Sequence, residues 1–296
     1  MIAVTGATGA LGSRVARLLD GGRHPVRLLV RDASRLPVGM SAATASIDDY
    51  TDGAGLRSAL AGCDTLLLVS AREASDRVHQ HQTVIDAAVA AKVTRVVYIS
   101  FQGAAPDATF TFARDHWHTE QLISSSGLTR VVLRDSFYLG ALAGLAGSDG
   151  AIRGPAGHGQ VAGVAHDDVA AVAARVLIDD SWDNQTLEVT GPAALSLSEV
   201  AEQLSRASGR SVRYVEETEA DAYASRAHYQ APDFEVTGWV TSYQAIARGE
   251  VSRISDTVER VTGRAPQSFA DFLTANPTAW AHLAPRSSEG GVERPS

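Results

Sequence analysis

The chain has 296 residues, of which 45% are hydrophobic, and a formal net charge of −8. That is enough apolar material for one large domain or for a nucleotide-binding domain with a smaller partner, and the negative charge opposes nucleic acid or an anionic membrane surface as the main partner. Cys63 is the only cysteine, which excludes an intrachain disulfide, and no run reaches the roughly 18 apolar residues of a membrane span.

The first element expected is a strand over Ile2–Val4. It feeds a turn and then a helix whose apolar Leu11, Val15, Leu18 and Leu19 recur at helical spacing. Between them runs Thr-Gly-Ala-Thr-Gly-Ala-Leu-Gly, residues 5–12. A glycine at each of the three positions has its own reason: one permits the turn, one lets a dinucleotide approach the backbone, and one lets helix and strand pack closely. Gly6, Ala7, Thr8, Gly9, Ala10, Leu11 and Gly12 are therefore expected to cradle a diphosphate on the amides and positive dipole end of the helix.

Further apolar runs follow at Val26–Val30 and at residues 65–69, 93–100 and 128–133, each followed by a potentially helical stretch. Such runs suit strands buried on both faces, so the reading is a Rossmann-like, doubly wound parallel sheet with a smaller C-terminal α/β lobe. Arg31 ends the second strand, where such folds inspect the adenosine ribose, and its guanidinium favours a 2′-phosphate. Asp32 sits close to where an acidic residue selects NAD, and equally serves as the N-cap of the turn at residues 33–36; the cap is favoured. The expected coenzyme is NADP(H), ahead of NAD(H). Beyond the third strand, Asp49 is the candidate for the adenine amino group, with Asp52 read as the cap of the next helix. Topology assigns Val69, Ser70, Ala71, Ser100 and Phe101 to the ribose and nicotinamide.

The commonest short-chain dehydrogenases place a tyrosine four residues before a lysine, and this chain cannot. Its only lysine is Lys92, preceded at that spacing by Ala88. Instead, residues 113–138 read Ala-Arg-Asp-His-Trp-His-Thr-Glu-Gln-Leu-Ile-Ser-Ser-Ser-Gly-Leu-Thr-Arg-Val-Val-Leu-Arg-Asp-Ser-Phe-Tyr. With the opening glycines, this segment resembles the NmrA-like branch of the short-chain dehydrogenase/reductase superfamily, in particular its NADPH-dependent quinone oxidoreductases. Thr119 and Glu120, Ser126 and Gly127, and Leu133 and Arg134 match that pattern, whereas Asp135 stands where the relatives carry asparagine. The resemblance implies hydride transfer to a quinone-like or conjugated small-molecule acceptor. Phe137 and Tyr138 are the candidate acceptor wall, with core packing as the alternative, and His116 and Tyr138 are the candidate catalytic groups. His116 and His118, like His79 and His81, lie two apart on a helix and so face apart, which opposes a shared metal; no metal is expected.

Residues 1–135 are read as the NAD(P)-binding domain, residues 136–284 as the smaller substrate lobe with some return of chain to the sheet, and residues 285–296 as a disordered tail. In the second half the strand candidates at residues 186–190 and 212–215 stand isolated. The protein is expected to be cytoplasmic, with no nucleic-acid or membrane partner and a homodimer allowed. The competing reading is a non-catalytic NADP sensor of the NmrA type, acting through a protein partner.

Overall fold

The computed structural model describes residues 1–283, so the tail expected at residues 285–296 lies outside the described residues. Strands β1 (Ile2–Val4), β2 (Val26–Val30), β3 (Ala43–Ser46), β4 (Thr65–Leu68), β5 (Arg95–Phe101) and β6 (Thr129–Asp135) come first. Helices α1 (Ala10–Leu19), α2 (Gly53–Leu60), α3 (Arg77–Ala90) and α4 (Thr111–Ser125) are interleaved with them. Then follow α5 (Leu139–Ala143), β7 (Ala151–Gly154), β8 (Gln160–Val161), α6 (His166–Leu177) and β9 (Thr186–Val189). The remainder includes β10 (Leu195–Ser196), α7 (Leu197–Ser208), β11 (Arg213–Glu216), α8 (Glu219–Arg226) and α9 (Asp233–Ala247).

Seven strands form one sheet in the order β3-β2-β1-β4-β5-β6-β9, and every pairing in it is parallel. The central strands are apolar on both faces because both are covered. On one face α1 and α6 bury Leu11, Val15, Val169 and Val172 against Val4, Leu28, Val97 and Leu133. On the other, α2, α3 and α4 bury Leu56, Val84, Ile85 and Ile123 against Leu66, Leu68, Val96 and Val132. The strand order reverses between β1 and β4, and ligands of such sheets bind beyond the carboxyl ends at that point.

The strand read as isolated at residues 186–190 is corrected: β9 pairs with β6 from Val132 opposite Thr186 to Asp135 opposite Val189 and is the return of chain to the main sheet. The second isolated candidate, β11, pairs in parallel with β7, while β8 and β10 form a short antiparallel pair. These elements gather a separate apolar cluster around Leu142, Ile152, Leu197, Leu204 and Ile246. Helix α9 joins this lobe to α4, and Gly238 is what permits the contact, since a Cβ there would overlap the Phe112 ring.

Candidate active site

Helix α1 begins at Gly9 with no side chain capping it and no acidic residue in its first turn. Its leading amides and positive dipole end are therefore left to a ligand. Gly6 takes a left-handed φ of 61° and its carbonyl accepts from Gly9 N at 2.8 Å, which makes the tight turn. A Cβ on Gly12 would overlap the Gly6 carbonyl, so the third glycine sets the packing of helix on turn. Around this turn lies a cleft of about 500 Å³ lined by Gly6, Thr8, Gly9, Ala10, Leu11 and Gly12. Ala7 is fully buried beneath it and supports the turn from the core.

At the adenosine end the cleft is lined by Arg31 and Asp49 as expected from sequence, and also by Arg35, Tyr50 and Ile47. Asp32 accepts from Ser34 N at 2.9 Å and caps the turn Ala33–Arg35, so its carboxylate is spent on the backbone. That leaves two guanidinium groups, from Arg31 and Arg35, facing the cleft. Arg35 lies four residues past Arg31 on the same loop, a spacing that could have flagged it. Asp49 gives one oxygen to Thr51 N and Oγ1 at 2.6 and 2.5 Å, contacts that hold its carboxyl below the usual range. Asp52 caps α2 through Gly55 N. Tyr50 donates to the Val69 carbonyl at 2.8 Å and ties the β3 loop to the end of β4.

Val69, Ser70 and Ala71 continue the cleft past β4. Ala71 N donates to His81 Nε2 at 2.9 Å, and His81 Nδ1 faces Thr119 Oγ1 at 2.8 Å. Because its Nε2 accepts, His81 is a neutral Nδ1–H tautomer, and burial first and the Arg77 charge second push its pKa down to about 3. Ser100 and Phe101, expected near the nicotinamide, are not among the residues that line this cleft. Ser100 turns to the α4 face, where it is fully buried and donates to Glu120 Oε1 at 2.5 Å. Phe101 is buried among other phenylalanines. The matched Glu120 also receives a two-pronged Arg134 contact at 2.9 and 2.6 Å, so it fastens α4 to β5 and β6.

The expectation of a pocket-facing proton donor at His116 is also corrected. A guanidinium only donates, so Arg77 Nη2 at 3.2 Å fixes His116 Nε2 as acceptor, and the Nδ1 proton goes to the Tyr98 hydroxyl at 2.9 Å. Both ring nitrogens are spent, and burial together with the Arg77 charge keeps the imidazole neutral. Lys92 stands exposed after α3 with φ of 65°, at the amino end of β5 and so opposite the cleft.

Beyond β6 the two aromatic candidates diverge. Half-buried Phe137 meets Phe101 at 5.0 Å and Phe110 at 5.7 Å between ring centroids, and Phe112 with Phe234 of α9 extends the cluster. Tyr138 instead stacks on His166 at 3.6 Å and 13°, and its hydroxyl donates to the buried Asp135 carboxylate. Burial pushes Asp135 up to about 7 and Tyr138 further above the phenol range. Ser136 Oγ, fully buried beside them, has no partner among the described residues, which suits a polar ligand at this edge. His166, not among the expected site residues, opens α6, next to Asp167, which Arg14 of α1 holds at 2.6 Å. The uncapped turn and the two guanidinium groups beside it fit a dinucleotide phosphate. Among the described residues, no three His, Cys, Asp or Glu side chains converge as a metal site, and no helix is long and apolar enough to cross a membrane.

A model of the NmrA-like family matches residues 1–242. The NAD(P)H azoreductase of Xenophilus azovorans is 33% identical over 284 residues, covering 95% of this chain and 99% of its own. The NADPH-dependent quinone oxidoreductase of Escherichia coli, solved with NADPH, superposes with a TM-score of 0.85 at 31% identity, over 93% of this chain and 99% of that one. The triphenylmethane reductase of Citrobacter sp., solved with NADP(H), gives 0.81 at 26% identity over 93% and 99%. Relatives that are reductases from end to end do not favour the sensor reading. The chain belongs to the NmrA-like family, as an NAD(P)-binding oxidoreductase of its reductase group.

Proposed function

We propose that the protein transfers hydride from NADPH to a flat, electron-poor acceptor of the quinone-like or conjugated class. The observation that carries this reading is the aromatic wall of Phe110 and Phe137, half-buried at the carboxyl ends of β5 and β6 on the same sheet edge as the dinucleotide cleft. Flat π-systems stack well on such rings.

The α1 amides hold the diphosphate, Arg31 and Arg35 take the 2′-phosphate, and Asp49 accepts from the adenine amino group. When bound, the coenzyme supplies the hydride. Phe137 and Phe110 hold the acceptor flat, and Tyr138, its hydroxyl tied to Asp135, backs the neighbouring edge. Fixing two reactants in contact can remove about 7 to 11 kcal/mol of barrier, so a quinone-like acceptor needs no strong dedicated acid. The reading extends to a cytoplasmic enzyme acting on a small molecule, with a homodimer to be tested by sedimentation.

The test is NADPH oxidation against a panel of quinones, repeated with Phe137→Ala. Turnover by the native chain is expected, with a raised acceptor KM and unchanged NADPH affinity in the variant. No oxidation above background across the panel would overturn the reading.

A further inference from the structure

Asp135 ends β6 one strand from β5 and two from β4, the strand whose end lines the cleft. At about 4.8 Å per strand this is roughly 10 Å from the end of β4. The carboxylate is only 4% exposed, and its one side-chain hydrogen-bond donor is the Tyr138 hydroxyl.

The groups facing Asp135 do not share its titration. Tyr138 stays a neutral phenol, and His166, stacked on Tyr138 from α6, is pushed down to about 4 by burial and by Arg14 of α1. Arg77 of α3 is a permanent cation that favours the ionised carboxyl. Arg134, the preceding residue, turns to the opposite sheet face and pairs with Glu120 and Glu188. Asp167 of α6 is engaged by Arg14, and Asp168 by Arg264.

The two redox forms of a nicotinamide coenzyme differ by one positive charge on the ring. We propose that the Asp135 carboxylate, held under Tyr138 at the end of β6, is a counter-charge for the oxidised ring, so that the oxidised coenzyme binds with release of a proton and the reduced coenzyme does not. The inference rests on the dinucleotide reading of the cleft. A site that favours the oxidised form draws hydride out of NADPH. With burial placing the carboxyl near 7, the effect falls in the neutral range.

The experiment is calorimetric titration of the full chain with NADP⁺ and with NADPH at about pH 6 and about pH 8, in two buffers of different protonation heat. The 2′-phosphate titrates alike in both coenzymes and cancels in their ratio. Two unit charges about 10 Å apart predict that affinity for NADP⁺ relative to NADPH rises roughly tenfold with pH. Proton release should be greater with NADP⁺ than with NADPH, since the 2′-phosphate contributes equally to both. Asp135→Asn should bind both coenzymes with a ratio that no longer changes with pH. Tyr138→Phe, which removes the donor that favours the ionised carboxyl, should move the midpoint to higher pH. A ratio independent of pH in the native chain, or a dependence that survives Asp135→Asn, would overturn the proposal alone. Failure of both coenzymes to bind would overturn the cleft assignment and the proposal with it.

Discussion

Removing the two guanidinium groups at the adenosine end should convert the coenzyme preference. Arg31 and Arg35 both line the cleft and both are exposed, while Asp32 is turned away onto Ser34. A hydrogen bond to a charged group contributes about 1.5 to 3 kcal/mol, and exposure puts each arginine at the lower end, about 1.5 kcal/mol. Each alanine substitution should then weaken NADPH binding roughly tenfold, and the double variant roughly a hundredfold if the two act independently. NADH carries no 2′-phosphate and should bind all variants alike. The assay is fluorescence titration of both reduced coenzymes at fixed ionic strength, repeated at high salt, where the native preference should shrink. An unchanged NADPH to NADH ratio in the double variant would refute the reasoning, because another group would then be reading the phosphate.

Gly12→Ala places a methyl against the Gly6 carbonyl, and since neither side is a flexible side chain, it should cost about 1 to 3 kcal/mol in a denaturant melt and abolish coenzyme binding. His81 is held neutral at about 3 against about 6.5 unfolded, so its contribution is complete above pH 6.5 and is lost as pH falls toward 3; His81→Gln should flatten the acid limb of a urea stability profile. Asp135 runs the other way. Its folded value near 7 lies above the unfolded 3.8, so native stability from this group falls as pH rises from about 4 to about 7, and Asp135→Asn should gain on the native chain at pH 8 relative to pH 5.

The sheet was legible wherever burial on both faces demanded a mostly apolar run, as at Val26–Val30 and in the buried β5. β3 reads Ala-Thr-Ala-Ser and is largely exposed at the sheet edge, so no apolar pattern marks it. β9 was seen as a strand but not assigned to the sheet, because its pairing with β6 spans some fifty residues of intervening chain that no local pattern records. At the site, the glycine turn was legible because backbone geometry dictates residue type there. For Ser100 and Phe101 the sequence shows the strand end but not which face each side chain takes. Residue type alone marks His116 as a proton carrier, and only the fold brings Arg77 and Tyr98 to its two nitrogens. Asp135 stood out in the sequence as a departure, but its meaning depended on the Tyr138 contact.

The central claim is tested most directly by a single turnover: the protein preloaded with one equivalent of NADPH, mixed with a quinone, and followed by the dihydronicotinamide absorbance. The account predicts loss of that band with one equivalent of hydroquinone formed, slowed in Phe137→Ala. Bound NADPH that persists unchanged under saturating acceptor would contradict it.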